Sequence, residues 1–169
     1  MIWSPLALIL GLVVGQRIGE LIIANRNTRR LLAVGGREVG ARHYPLFMAL
    51  HTSWLAALAI FVDPWTWPNL ALIGVYLALQ LARLWVIASL GPYWTTRIIT
   101  LDAAPLVRRG PFRVLRHPNY LIVAAEIAVL PLAFGAWRIA LIFSLLNAAL
   151  LAWRIRVEEQ ALSARRPAG

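Results

Sequence analysis

Residues 107–126 read VRRGPFRVLRHPNYLIVAAE. Arg108, Arg109, Arg113, Arg116 and His117 crowd the first part of this stretch, and an apolar run follows Pro118 with no linker between. Proline suits the first turn of a helix, where a missing N–H costs nothing. The helix it opens points free N–H groups and the positive end of its dipole back at the basic patch. A histidine and an arginine beside that end make a site for a small anionic group such as a carboxylate. The question is why so dense a polar patch stands at the mouth of a hydrophobic segment.

The rest of the chain is apolar enough to make this a membrane question. It has 169 residues, 60% of them hydrophobic and 14% charged, against about 25% charged in soluble domains. The mean hydropathy is +0.69. An integral membrane protein with one domain over 1–169 is expected. There is no cysteine, which excludes disulfides, thiol nucleophiles and cysteine-based metal sites. The three histidines lie far apart, so no metal site is expected. The net charge is +10 and every basic residue is arginine. These arginines fall in short loops between apolar runs, as topology-setting residues do, so nucleic-acid binding is not expected.

Five apolar stretches stand out, at 3–24, 45–62, 69–90, 119–134 and 137–153. A spanning helix needs about 20 residues for a core of about 30 Å. The last two are short and are joined by Gly135-Ala136, so they read as a helical hairpin with Pro131 near its turn. The expected fold is all-α, with five transmembrane helices ending in that hairpin. The first stretch carries Arg17 and Glu20 and lacks a basic leader and a small-residue cleavage site, so it reads as a retained helix. Arginines gather in 25–44, in 91–118 and in the tail after 153, whereas DPWTWP at 63–68 has none and offers two tryptophans. That bias puts the N-terminus outside and the three basic regions in the cytoplasm.

Ionisable groups inside spans are costly and face a partner or a cavity. Arg17 and Glu20 share a helix face, as do Gln80 and Arg83. His51 lies within the second span. Glu126 lies two turns into the fourth with no partner near in sequence, which leaves both a packing and a cavity role open. At the end of the fifth span Arg154 and Glu158 stack at four-residue spacing, on the membrane face that Arg116 to Tyr120 occupy. Glu159 points about 100° away from Glu158 and is expected to pair with a surface arginine.

The joint pattern GPFRVLRHPNYL at 110–121 and RIRVEEQAL at 154–162 resembles the isoprenylcysteine carboxyl methyltransferase family, which includes related phospholipid methyltransferases. The resemblance runs from LGPYWTTRI at 90–98 to Leu162. The N-terminal half, with ELIIANRNTRRLL at 20–32 and ARHYPLFMALH at 41–51, looks like a bacterial subgroup found beside type III polyketide synthases, thought to methylate alkylpyrone-type products. The resemblance implies S-adenosylmethionine as cofactor, with its site motifs in 104–162. It implies cofactor contacts at Pro105, Leu106, Val107, Phe112, His117, Pro118, Asn119, Tyr120 and Glu158. It also implies a lipid-like acceptor entering from the bilayer toward Arg154, so that Arg154 and Glu158 carry the catalysis. Phe112 stands where many members have tyrosine, and the tail is too short for the aromatic-glycine segment of the eukaryotic enzymes. Both departures weigh against a prenyl-cysteine acceptor.

The residue chemistry agrees. His117 and the helix start suit a carboxylate, and Glu158 suits an ammonium or ribose hydroxyls. No G-x-G-x-x-G or alternating strand–helix pattern exists, which excludes a soluble Rossmann methyltransferase. The expected activity is O-methylation of a lipid-like acceptor, an alkylpyrone-type polyketide or an isoprenylcysteine carboxylate. An acidic oxygen acceptor needs a nearby arginine, and Arg154 is best placed. The alternatives are N-methylation of a phospholipid amine, with Glu126 or Glu159 near the methyl, and a non-enzymatic membrane scaffold.

Overall fold

The computed structural model describes residues 4–41, 44–101 and 107–163. The protein is an all-α membrane protein. Helix α1 spans Pro5–Ala33, α2 Tyr44–Phe61, α3 Leu70–Leu90, α4 Pro118–Ala133 and α5 Trp137–Ser163. Four of these are long and apolar enough to cross a bilayer. With 16 residues, α4 reaches about 24 Å and falls short of a full hydrocarbon core. Local signals fix the starts. Ser4 Oγ accepts a hydrogen bond from Ala7 N at 3.2 Å, with Pro5 in the first turn of α1. Asn69 Oδ1 accepts from Ala71 N at 3.0 Å and Leu72 N at 3.2 Å to cap α3.

α4 and α5 form the expected hairpin. Its turn uses Gly135 at φ +70°, a left-handed conformation that glycine adopts freely, and Ala136 N donates to Pro131 O at 2.9 Å. Pro131 itself sits in the last turn of α4. Asn69 N donates to Ala133 O at 2.7 Å, which ties the α2–α3 connection to the hairpin. In that connection Trp65 and Trp67 are exposed, as interfacial tryptophans are. Trp54, Leu58, Ile127 and Leu130 fill the core between α2 and α4.

Three features differ from the sequence expectation. α1 continues past 24 to Ala33 and α5 past 153 to Ser163. Hydropathy drops at both points, but arginine, leucine and alanine sustain a helix and no glycine or proline interrupts either segment. The two basic loops are also not wholly irregular. Strands β1, Arg37–Val39, and β2, Ile98–Thr100, pair antiparallel with Glu38 opposite Ile99. Arg97 fastens this ribbon by donating to Glu38 Oε2 at 3.0 Å and by stacking its guanidinium 4.7 Å from the Tyr44 ring centre.

The intramembrane charges meet. Glu126, 1% exposed, accepts from Arg83 Nε at 2.9 Å on one carboxylate oxygen and from Arg83 Nη2 on the other. Gln80 Nε2 donates to the first oxygen at 2.8 Å and Arg17 Nη2 to the second. Arg17 Nη1 also holds Glu20 at 2.8 Å, and Gln16 bridges Glu20 and Gln80 at 2.9 and 2.6 Å. Two arginines and two glutamates thus neutralise one another across α1, α3 and α4. Glu126 has a packing partner, which its sequence neighbourhood left open. His51 Nδ1 lies 2.8 Å from Phe47 O of its own helix.

Removing the central carboxylate leaves two guanidinium groups to share Glu20, one positive charge in excess in a low-dielectric interior. Glu126→Ala is expected to cost about 3–5 kcal/mol of stability, the range for breaking one side of a buried ion pair. Denaturant titration of the detergent-solubilised protein measures this, and a loss below about 1 kcal/mol would show that the cluster does not hold the helices together.

Candidate active site

The start of α4 and the end of α5 face each other at the arginine-rich end. Pro118 is buried in the first turn of α4, and His117 at the N-cap makes no side-chain capping bond. Pro118 has no N–H and Tyr120 N donates to His117 O at 3.1 Å, which leaves the Asn119 N–H as the first-turn amide for a partner. Two turret-like connections wall the site. After α3, Gly91–Tyr93 form a 3-10 turn, held from below by Asn27 of the α1 extension. Its Nδ2 donates to Gly91 O at 3.1 Å and Trp94 O at 2.9 Å. A second 3-10 turn, Gly110–Arg113, presses on the end of α3. Arg109 Nε donates to Ser89 O at 2.7 Å. Gly110 has φ +56°, and a Cβ there would lie 2.1 Å from Ser89 Oγ, so only glycine permits the approach.

Between these parts lies an open cleft. Phe112, His117, Pro118, Asn119, Tyr120, Arg154 and Glu158 all line it. Val107 is described but is not among the lining residues. Pro105 and Leu106 lie outside the described residues.

A hydrogen-bond relay runs through the cleft. Arg154 Nε donates to the Tyr120 hydroxyl at 2.8 Å, and that hydroxyl donates to Glu158 Oε2. Arg154 Nη2 donates to Thr96 O at 2.8 Å. The guanidinium also lies 5.3 Å from the Phe47 ring centre and 5.5 Å from that of Tyr120, distances at which an aromatic ring attracts a cation. Arg154 is 9% exposed, so this side chain is oriented rather than loosely solvated. Its Nη1 makes no hydrogen bond among the described residues.

His117 stacks on Tyr120 with ring centres 5.2 Å apart and planes inclined by 12°. Its Nδ1 lies 3.8 Å from Glu158 Oε2 and its Nε2 3.9 Å from Glu159 Oε1. Among the described residues, Glu159 approaches His117 and no arginine. The ring lies across the helix end, which lets adjacent carboxylates approach opposite sides of it. His117 Nε2 and Asn119 Oδ1 are buried without a hydrogen-bond partner. Such groups are costly unless something pairs with them.

Sequence reasoning missed Tyr120 as the link between Arg154 and Glu158, and it missed Phe47, Thr96 and Asn27. Thr96 acts through its backbone carbonyl, which no residue pattern announces. Phe47 lies in the 41–51 segment, but its contact crosses from α2 to α5.

A polytopic membrane protein with an oriented arginine, a carboxylate and an uncapped helix start around one cleft has the parts of an enzyme that joins a polar reactant to a bilayer-borne one. The chain belongs to the isoprenylcysteine carboxyl methyltransferase (ICMT) family, whose profile matches residues 71–164, and it is a membrane methyltransferase. The match takes in α3 as well, with Gln80 and Arg83. The chain is similar to the uncharacterized protein YpbQ of Bacillus subtilis, 35% identical over 160 residues that cover 92% of this chain and 95% of that one. An uncharacterized protein of Haemophilus influenzae is 30% identical over 156 residues, 89% and 91% of the two chains. No solved structure matches.

Proposed function

We propose that this membrane methyltransferase uses S-adenosylmethionine to methylate an oxygen of a lipid-like acceptor, an alkylpyrone-type polyketide ahead of an isoprenylcysteine carboxylate. The observation that carries the reading is the pair of buried, unpartnered polar atoms, His117 Nε2 and Asn119 Oδ1, at the uncapped start of α4 beside Arg154. The donor set fits a cofactor that carries both a carboxylate and an ammonium. His117 and the Asn119 N–H at the α4 start suit the carboxylate, Asn119 Oδ1 and Glu158 suit the ammonium or ribose hydroxyls, and Phe112 and Tyr120 supply apolar surface. When bound, the cofactor supplies an electrophilic methyl group on a sulfonium.

Arg154 does the work on the acceptor side. The Tyr120 hydroxyl and Thr96 O fix two of its nitrogens and leave Nη1 for an acceptor oxygen. A guanidinium there stabilises an enolate or carboxylate and orients it for in-line attack. The low exposure of Arg154 strengthens that interaction by keeping water away. The same position disfavours an ammonium acceptor, because like charges repel. Glu126, one carboxylate that N-methylation could use, is already committed to Arg83 and Arg17. The polyketide acceptor rests on the likeness of 20–51 to the polyketide-associated subgroup and on Phe112 standing where many family members have tyrosine.

The affinity for S-adenosylhomocysteine and the single-turnover rate, measured together in detergent, test these roles. Glu158→Gln is expected to abolish turnover mainly through lost affinity. Arg154→Lys is expected to keep affinity and lose turnover, since lysine lacks the planar fork. Tyr120→Phe is expected to weaken both by about 1 kcal/mol each, because it releases Arg154 and Glu158 together. No binding heat for the wild type sinks the cofactor assignment. Weakened binding in Arg154→Lys moves that arginine to the cofactor side.

The proposed orientation places the N-terminus outside and the cleft toward the cytoplasm of a bacterial inner membrane. The described arginines of 25–41, 91–101 and 107–118, with Arg154 and Arg156, belong to the end that holds the cleft, as cytoplasmic loops require. A reporter fused after Gly169 is expected to behave as cytoplasmic, and periplasmic behaviour reverses the assignment.

A further inference from the structure

The turn at Gly110–Arg113 does more than wall the cleft. Its outer side shows an unusual mixture. Val114 is 87% exposed and Leu115 is 42% exposed, and Arg113 next to them and Arg108 at the start of the turn are exposed too. Neither arginine has a hydrogen bond or ion pair with a described residue. The segment is nevertheless well anchored. Val114 N and Leu115 N both donate to Pro111 O, at 3.2 and 3.0 Å, and Gly110 sits against Ser89 and Trp85 of α3. Two apolar side chains on an anchored turn have not simply been left over from a loose loop.

Trp85 sets the level of this turn relative to the bilayer. It is 57% exposed and continues the outward stripe of Leu77, Leu81 and Leu84, which is the face that α3 gives to lipid. Its Nε1 lies 3.2 Å from the position of a Cβ on Gly110. An exposed tryptophan at the end of a lipid-facing stripe marks the headgroup level. The turn therefore stands where acyl chains meet phosphates.

We infer that Arg108 and Arg113, together with the exposed Val114 and Leu115 of the same turn, form a docking site for the phosphate headgroups of anionic lipids in the leaflet that meets this end of the protein. The apolar pair enters the headgroup–acyl boundary and the two guanidinium groups take the phosphates. Apolar side chains among the cations favour a bilayer surface over a soluble phosphate, which has nothing for Val114 to enter. The site lies beside Phe112 and Arg116, which line the cleft, so it would hold the mouth of the cleft at the depth where a lipid-like molecule arrives. The inference is independent of which acceptor is methylated.

The chain has no cysteine, so Val114→Cys gives a unique attachment point for a bimane fluorophore. The labelled full-length protein is reconstituted into phosphatidylcholine bilayers that contain a spin-labelled phosphatidylglycerol or the same fraction of a spin-labelled phosphatidylcholine. Both lipids are expected to quench the fluorophore, and the anionic one should act as though enriched about fivefold or more, the factor for one arginine near an anionic surface. Salt should reduce that preference. Arg108→Gln with Arg113→Gln should abolish it, and Arg108→Lys with Arg113→Lys should keep it, which separates lost charge from lost folding. Absence of quenching by either lipid overturns the inference, because the turn then faces water or another protein. Equal quenching by both lipids in the unmutated background also overturns it, and so does a preference that survives the glutamine pair.

Discussion

Glu126 is a carboxylate almost wholly withdrawn from solvent inside an apolar helix, and such a charge is tolerable only with a well-made counter-charge. Arg83 grips both of its oxygens and Arg17 reaches one of them from α1. The rest of the molecule depends on that arrangement. Leu6 and Val13 of α1 share the apolar core with Val123 and Ile127 of α4, and the charges join α1 to α3 and α4 beside it. The same helix continues to Asn27. Asn27 holds the 91–94 turn, and two residues later Thr96 holds Arg154. An ion cluster in the middle of the membrane is thereby connected to a cleft at its edge.

On the proposed function, the cleft reconciles two solubilities. A polar methyl donor would meet a carboxylate and a histidine, which the start of α4 and the end of α5 provide. A lipid-like acceptor needs to stay in the bilayer. Arg154 stands between the two, buried enough to orient an oxygen and fixed by neighbours from α4 and the 94–97 segment. Tyr120 is central because one hydroxyl serves both sides. It accepts from Arg154 and donates to Glu158, so the group proposed to hold the acceptor and the group proposed to hold the donor are positioned by the same atom.

Much of the fold was legible in the sequence because hydropathy is a strong, local signal. The apolar stretches, the hairpin turn at Gly135-Ala136 and the helix start at Pro118 needed no tertiary information. The placing of Arg154 and Glu158 on one helix face followed from four-residue spacing, though the hydroxyl that joins them did not. What was not legible depended on distance or on backbone. The extensions of α1 and α5 are too polar for a hydropathy reading, although they remain good helix. β1 and β2 have three residues each, too few for an alternating pattern. The partner of Glu126 lies 109 residues away in Arg17 and 43 away in Arg83. Glu159 was assigned by helix geometry alone, which could not foresee a ring lying across the helix end.

The central claim is that the donor of the methyl group binds where the start of α4 meets the end of α5. Ultraviolet cross-linking of methyl-tritiated S-adenosylmethionine to the membrane-embedded protein, followed by peptide mapping, tests it most directly. The account predicts label confined to the segments around 112–120 and 154–159, and removed by excess S-adenosylhomocysteine. Label in the N-terminal half, or label that the competitor does not displace, would contradict it.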